Sequence, residues 1–245
     1  MTVDIRAINE EEVALWRVTR EVTAMLQGLP WILIGGLMVR ALEAERGVMT
    51  TFTTVDVDAV LDVRAVATAT EQAATRLQAA GFEPERRGGD LTYRFVRGTD
   101  IVDVLAPDHL GERARRTTVP PDETLEALGS RQALNRRRLM MIDAGDGPFE
   151  IPLPSLIGAI VLKARVAGNV QGKPSQSKHE RDLARLLALV RDPAQEGAEL
   201  NRNERGYLRA RTDLAGIDHR AWWNVANAEV GVDALLSLGD PDPVR

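Results

Sequence analysis

The spacing of apolar residues predicts helices and strands at the start of the chain. Apolar positions at helical spacing indicate a helix over residues 9–27. The apolar run 31–35 is typical of a short buried strand, and Gly35 and Gly36 turn it into a second helix over residues 37–45. The start of the chain therefore predicts helix, strand, glycine turn and helix in that order.

Alternation of apolar and polar residues from Val55 to Val63 indicates a strand with two different faces. Valine, alanine and leucine fall on one face, whereas Asp56 and Asp58 fall on the other. Downstream, the pattern predicts one helix followed by three strands, over residues 68–80, 91–96, 101–105 and 138–143. This mixture of helices and strands predicts an α+β fold with a small sheet packed on helices.

Proline residues near position 150 separate this mixed region from one whose pattern is helical. The helices predicted there cover residues 155–167, 178–191, 201–212, 218–227 and 230–238. We therefore expect an α/β domain over residues 1–150 and a helical domain over residues 151–245. Residues 168–177 have the composition of a loop between the first two of these helices.

The composition is that of an ordinary globular protein and excludes several classes of site. The 245 residues include no cysteine, which excludes disulfides and thiolate metal centres, and only three histidines. The longest apolar stretch, residues 31–39, is about half as long as a membrane-spanning helix. The first residues lack the basic and apolar segments of a secretory signal. We expect a cytoplasmic protein with no membrane contact.

The charge balance restricts the nucleic-acid contacts that the chain can make. Lysine and arginine number 31 against 36 acidic residues, a net charge of -5, so the whole chain is not a general polyanion binder. Aromatic residues make up only 4%, which disfavours a stacking surface for single strands. Two arginine clusters are either local phosphate contacts or solvated faces: Arg113, Arg115 and Arg116, and Arg136, Arg137 and Arg138.

Three carboxylates in predicted strands are the strongest sign of chemistry. Side chains two residues apart on a strand lie about 6–7 Å apart on one face, so Asp56 and Asp58 can bind one hard cation such as Mg²⁺. The alternative is an edge strand with a solvated acidic face. Asp103 lies within the apolar run 101–105, where a carboxylate needs a partner, either an arginine or a shared metal. We expect the shared metal.

Residues near the predicted strands and helices supply further candidates for a phosphate site. Gly35 and Gly36 open a helix, where free backbone N–H groups can hold a phosphate. Lys163 follows the apolar run 156–162 and either extends its amine to solvent along a packed stem or holds a triphosphate. Asp182 lies beside a leucine stripe, and a local ion pair with neighbouring basic residues is its simplest explanation.

Five segments follow one another along the chain in a characteristic order: WILIGGLMVRALEAE, TTVDVDAVLDVRA, IVDVL, PLPSLIGAIVLKARV and SKHERDLARLLAL. This succession resembles the DNA polymerase β-type nucleotidyltransferase superfamily and, within it, the AbiEii-type toxins of abortive-infection and toxin–antitoxin systems. The resemblance extends over residues 31–190 in interrupted blocks. It implies a small mixed nucleotidyltransferase sheet packed on helices, followed by a helical C-terminal domain.

The resemblance also implies a role for each glycine and carboxylate of the predicted strands. Gly35 and Gly36 would contact the triphosphate of an NTP, and Asp56 and Asp58 would hold magnesium. Asp103 would be the third carboxylate, either binding a second metal ion or taking the proton of the acceptor hydroxyl. The resemblance implies that the protein moves a nucleotide from the NTP to an acceptor.

Two residues of the C-terminal region complete the set that the resemblance implies. Lys163 would meet the phosphates, and Asp182 would be the acidic residue of the last motif. The second glycine is often serine in the superfamily, and the interval from Gly36 to Asp56 is longer here than its usual spacing. These two departures bear on how the phosphates would be bound and on which nucleotide would be preferred.

The expected function is magnesium-dependent nucleotidyl transfer to RNA, tRNA in particular, by the toxin of a toxin–antitoxin system, with a cognate antitoxin as partner. RNA is favoured by the arginine clusters, and the antitoxin by the resemblance. One alternative is a small-molecule nucleotidyltransferase that modifies an antibiotic. Another is a non-catalytic nucleotide-binding protein with the same fold.

Overall fold

A computed structural model describes residues 2–49, 54–86, 88–111, 114, 116–169 and 176–240. The helices in these ranges are α1 (Glu10–Met25), α2 (Gly35–Glu45), α3 (Ala69–Ala79), α4 (Ser130–Asn135), α5 (Leu156–Asn169), α6 (Gln176–Leu187), α7 (Pro193–Glu196), α8 (Arg202–Arg209) and α9 (Ala228–Gly239). The strands are β1 (Thr2–Asp4), β2 (Trp31–Leu33), β3 (Val57–Leu61), β4 (Glu83–Glu85), β5 (Arg94–Arg97), β6 (Asp100–Pro107), β7 (Glu126–Ala127), β8 (Arg137–Asp143) and β9 (Phe149–Pro154). This mixture of helices and mixed sheets confirms the α+β fold class.

The larger sheet has the order β2-β3-β6-β5-β4, with β7 paired to β6. β3 and β6 run parallel, whereas β2, β5 and β4 pair antiparallel with their neighbours. β3 and β6 therefore lie at the centre, where the side chains of Val57, Ala59, Val102 and Val104 are fully buried. This is why their sequences are rich in β-branched residues.

A smaller sheet joins the two ends of the mixed region. β1 pairs parallel with β8, and β8 pairs antiparallel with β9. The predicted domain boundary at residue 150 falls inside β9, and the division into two domains stays a prediction. β1 escaped sequence analysis because it is three residues long and its partner lies more than a hundred residues further along the chain.

Helices pack on the larger sheet and on one another. α1, α2 and α3 contact β3, and α5 and α6 pack together, with α6 also touching α2. One continuous hydrophobic core includes residues of both the mixed and the helical regions. No helix in the described ranges is both long and apolar enough to cross a lipid bilayer.

The helix predicted over residues 218–227 is wrong. The structure has only a short 3₁₀ turn there, Arg220–Trp222, and Asn224 and Asn227 adopt left-handed backbone angles with φ of 62° and 59°. Trp222 is buried and donates its indole N–H to the backbone carbonyl of Leu214 at 2.8 Å. Packing of this tryptophan therefore overrides local helix propensity. The predicted loop 168–177 lies mostly outside the described residues.

Candidate active site

The register of two central strands brings the predicted carboxylates together. Asp58 on β3 lies directly opposite Asp103 on β6 in the parallel pair. Asp56 precedes β3 by one residue, so its side chain points to the same face of the sheet as that of Asp58. One carboxylate oxygen from each of the three residues lies within 4.8 Å of the others. The structure thus forms an acidic cluster of Asp56, Asp58 and Asp103.

The two glycines at the start of α2 form a turn that packs against this cluster. Gly35 has a φ of +72°, which is accessible mainly to glycine, and a Cβ atom there would overlap the Asp58 carboxylate, 2.7 Å from its Cγ. A Cβ at Gly36 would lie 2.6 Å from the Cβ of Thr54. Thr54 in turn donates its hydroxyl to Asp56 Oδ1 at 2.9 Å. The positive end of the α2 dipole therefore begins beside the carboxylates.

The electrostatics of the cluster favour a bound cation. Burial, together with the negative charges of Asp56 and Asp103, raises the pKa of Asp58 to about 7, while the charges of Lys163 and Lys178 oppose this rise. A carboxyl whose ionised form is disfavoured by burial and by like charges gains stability when a positive charge arrives. Hard oxygen donors on two adjacent strands fit Mg²⁺ or Mn²⁺. The acidic cluster therefore fits a divalent cation.

An arginine that sequence analysis missed also lies in the cluster. Arg94 donates from Nε and Nη2 to the two oxygens of Asp103, each at 2.7 Å, and its Nη2 is 3.4 Å from Asp56 Oδ2. The sequence carried a signal for it, because residues counted outward from the turn after Arg97 pair Arg94 with Asp103 in the antiparallel register. The buried carboxylate of Asp103 thus has the arginine partner that was the alternative to a metal.

Lys163 and Asp182 form a buried ion pair between α5 and α6. The Nζ atom of Lys163 lies 2.7 Å from Asp182 Oδ2, and the two side chains are 3% and 0% exposed. The amine does not extend to solvent, and the acid pairs with this lysine on the preceding helix rather than locally. Within the described residues, Asp182 Oδ1 has no hydrogen-bond partner. The proposed contact of Lys163 with phosphates and the role of Asp182 stay predictions.

His179 lies one turn before Asp182 in α6. Burial and the positive charge of Lys163 lower the pKa of His179 to about 4, and the negative charge of Asp182 opposes this only in part. The imidazole is therefore neutral at physiological pH. In the described part of the chain its Nδ1 atom is buried without a hydrogen-bond partner.

Three of the four described arginines of the two clusters form ion pairs within the chain, and the fourth, Arg137, is exposed. Arg136 contacts Glu204 at 2.6 Å and Arg138 contacts Glu45 at 2.5 Å. Arg116 contacts two glutamates, at 2.6 and 2.9 Å, while Arg113 and Arg115 lie outside the described residues. Arg136, Arg138 and Arg116 therefore do not form the free basic surface that favoured RNA.

A second acidic group in the C-terminal region does not fit a metal. Glu180, Asp213 and His219 lie close enough together to share an ion. Arg211, which is fully buried, already contacts Glu180 at 3.1 Å and Asp213 at 2.5 Å. A guanidinium therefore supplies the positive charge that these carboxylates need.

Comparison with solved structures supports the assignment of the fold. An antigenic nucleotidyltransferase-like protein from Paracoccidioides brasiliensis is similar to this chain with a TM-score of 0.51 and 15% sequence identity. The alignment covers 92% of this chain and 94% of that one. No protein-family model and no curated protein sequence matches the chain. The chain thus has a nucleotidyltransferase-like fold.

Proposed function

We propose that this protein is a magnesium-dependent nucleotidyltransferase that moves a nucleoside monophosphate from an NTP to a hydroxyl group of an acceptor. The observation that supports it best is the convergence of Asp56, Asp58 and Asp103 beside the glycine turn of α2. The nucleotidyltransferase-like fold of the similar structure gives independent support.

The proposed reaction is an in-line substitution at the α-phosphorus. The acceptor oxygen forms a bond to this phosphorus while the bond to the bridging oxygen of the β-phosphate breaks, and pyrophosphate leaves with the electron pair. The hydroxyl proton passes to a carboxylate of the cluster or to water. In such reactions the protein mainly positions the groups and balances charge.

The residues of the acidic cluster and of the glycine turn would have different roles in this reaction. Asp56 and Asp58 would hold a divalent cation, which supplies the charge that lowers the pKa of the acceptor hydroxyl and balances the triphosphate. Gly35 and Gly36 would offer backbone N–H groups to the phosphates, because no side chain separates this backbone from Asp58. Asp103 would be the third carboxylate of the site, beside the two that hold the cation.

Lys163 would influence the phosphates through its positive charge, which lies near the acidic cluster, rather than through a direct contact. Its charge opposes the rise in the pKa of Asp58, and its amine is directed at Asp182. We propose that Asp182 fixes this amine, so that a stationary positive charge stands next to the carboxylates that hold the cation. Direct contact with the triphosphate would require the amine to leave Asp182.

The acceptor is proposed from the arginine clusters of the sequence, and the biological role from the resemblance to AbiEii-type toxins. On that basis we propose RNA, tRNA in particular, as acceptor, and a toxin whose antitoxin is a separate protein. A small-molecule acceptor such as an antibiotic is the second candidate. The ion pairs of Arg136 and Arg138 favour it, since they leave less basic surface for a polynucleotide.

Transfer of label from NTPs tests the proposal. The wild-type chain, Mg²⁺ and either total RNA or a panel of antibiotics are incubated with each NTP labelled at the α- or the γ-phosphate. We expect label in the acceptor from the α-phosphate only, and its loss in Asp58→Asn. Asp62→Asn is the matched control, because Asp62 follows the same strand but pairs with Arg64 at 2.7 Å. Absence of transfer to every acceptor would contradict the proposal.

A further inference from the structure

Arg94 places a permanent positive charge inside the acidic cluster. Its strand, β5, runs beside β6, and the register sets Arg94 opposite Asp103, which in turn lies opposite Asp58. The three side chains therefore stand in one row across three adjacent strands. Hydrogen bonding to Asp103 raises the pKa of Arg94 above its already high value, so the guanidinium stays charged at any pH of interest.

The two hydrogen bonds of Arg94 engage both oxygens of the same carboxylate. Nε donates to Oδ1 of Asp103 and Nη2 to Oδ2, each at 2.7 Å, the side-by-side geometry in which guanidinium binds carboxylate most strongly. The side chains of Arg94 and Asp103 are 19% and 8% exposed, so water weakens this pair little. Nη2 lies further from Asp56, at 3.4 Å. The guanidinium thus binds Asp103 and makes only a longer contact with Asp56.

Charge balance then indicates which carboxylates can bind a cation. When all three carboxylates are ionised, they and the one guanidinium leave two negative charges, which one divalent cation neutralises. Asp58 makes no contact with Arg94 among the described hydrogen bonds and ion pairs, and Asp56 makes only the longer one. The pair that remains available to a cation is therefore Asp56 and Asp58.

We propose that Arg94 is a positioning residue that holds Asp103 away from the metal and leaves Asp56 and Asp58 as the ligand pair of a single divalent cation. This inference rests on the proposed function, and it changes the role of the third carboxylate. Asp103 anchors Arg94, and Arg94 sets the number of carboxylates that reach the cation. Affinity for the cation is thereby kept moderate, since a third free carboxylate would bind it more tightly.

Binding of Mn²⁺ to the full chain without nucleotide tests this inference. Free Mn²⁺ is measured by its electron paramagnetic resonance signal, in wild type and in Arg94→Gln, Arg94→Lys, Asp58→Asn and the double variant Arg94→Gln/Asp103→Asn. We expect Arg94→Gln to tighten binding about tenfold or more, because a negative charge is released next to the ion. The double variant should return to within about threefold of wild type, since it again has two free carboxylates.

Two variants separate charge from loss of folding. Arg94→Lys keeps the positive charge and should bind Mn²⁺ within about threefold of wild type. Arg97→Gln, on the same strand, removes an arginine that pairs with Glu21 and Asp100 instead, and should leave Mn²⁺ binding unchanged. Thermal melting shows which variants are folded. If Arg94→Gln does not fold, the comparison of Arg94→Lys and the double variant with wild type still tests the inference.

Each remaining outcome has a distinct meaning. If Arg94→Gln fails to tighten binding and the double variant binds as weakly as Asp58→Asn, Asp103 is itself a ligand and the inference is overturned while the proposed function stands. If wild type binds no Mn²⁺, the proposed function fails, and this inference fails with it. Binding by Arg94→Lys that is more than about tenfold weaker than that of wild type would also overturn the inference, because the charge at this position would then not be what sets the affinity.

Discussion

The Lys163 ammonium and the Asp182 carboxylate lie 2.7 Å apart between α5 and α6, with almost no exposure to solvent. Removing either residue leaves the other buried without the one hydrogen-bonded ion-pair partner that it has in the described structure. Breaking a buried ion pair by removing one member costs about 3–5 kcal/mol, whereas replacing both members costs much less. The pair therefore stabilises the packing of α5 on α6, and substitution of one member alone should destabilise the protein more than substitution of both.

Lys163→Met should lower the free energy of unfolding by about 3–5 kcal/mol, because it leaves Asp182 buried and unpaired. Lys163→Met/Asp182→Leu should recover more than half of that loss. Urea denaturation of the two single variants and the double variant measures the coupling. Additive losses in the double variant would show that the two side chains do not depend on each other.

Gly35→Ala should damage both the fold and the cation site. A side chain at this left-handed position is strained by about 1–2 kcal/mol, and its Cβ would also overlap the Asp58 carboxylate. Gly28→Ala is the matched control, since Gly28 has a similar φ of +82° and open space around its Cβ position. We expect Gly28→Ala to lose stability alone, and Gly35→Ala to lose Mn²⁺ binding as well. Equal Mn²⁺ affinity in the two variants would contradict the close packing of the turn on Asp58.

The free energy of unfolding should decrease as the pH is lowered, because His179 takes up a proton more readily in the unfolded chain. The folded state holds the pKa of this imidazole at about 4, below its ordinary value of 6.5, so between these values the unfolded chain binds the proton and the folded chain does not. Stability is therefore greatest above pH 6.5 and falls by up to about 3 kcal/mol as the pH drops to 4. His179→Gln should flatten this part of the profile.

Two measurements check the behaviour of His179. Urea denaturation at several pH values between 4 and 7 compares wild type with His179→Gln. Titration of the imidazole protons by nuclear magnetic resonance gives the pKa of the folded state directly. A pKa near 6.5 in the folded protein would show that the ring is more hydrated than its burial implies.

The three consecutive arginines 136–138 should differ in their effects. Arg136→Gln leaves Glu204, which is 2% exposed, without its guanidinium partner and with only the backbone N–H of Asn201, and should cost about 2 kcal/mol of stability. Arg137 is exposed, and Arg137→Gln should change stability by less than about 0.5 kcal/mol. Denaturation of both variants tests this difference. If RNA is the acceptor and this run contacts it, only Arg137→Gln should reduce label transfer without destabilising the chain.

Much of the fold and of the acidic cluster could be predicted because local patterns determine them. Period-two alternation placed Asp56 and Asp58 on one face of β3, and the apolar run around Asp103 predicted a central strand. The glycine pair predicted the turn into α2. In each case the signal lies within a few residues of the element that it describes.

The parts that sequence analysis missed depend on contacts between distant residues. The partner of Asp182 is Lys163, on another helix, whereas its own helix offered nearer basic residues. Arg94 required the register of the β5–β6 hairpin to be counted outward from its turn. The 3₁₀ turn at Trp222 is set by packing of one tryptophan rather than by local propensity. Tertiary contacts of this kind leave little trace in the spacing of residues.

The alignment of β3 with β6 couples the formation of the carboxylate group to the completion of folding. Successive side chains of a strand alternate between faces, so a slip of one residue in this pairing would send Asp58 to the side of the sheet away from Asp103. A misaligned intermediate would bury a lone acid among valines and lack the geometry to hold an ion. Ion binding would therefore report on correct strand alignment, and divalent cations added during refolding would favour chains that have reached it.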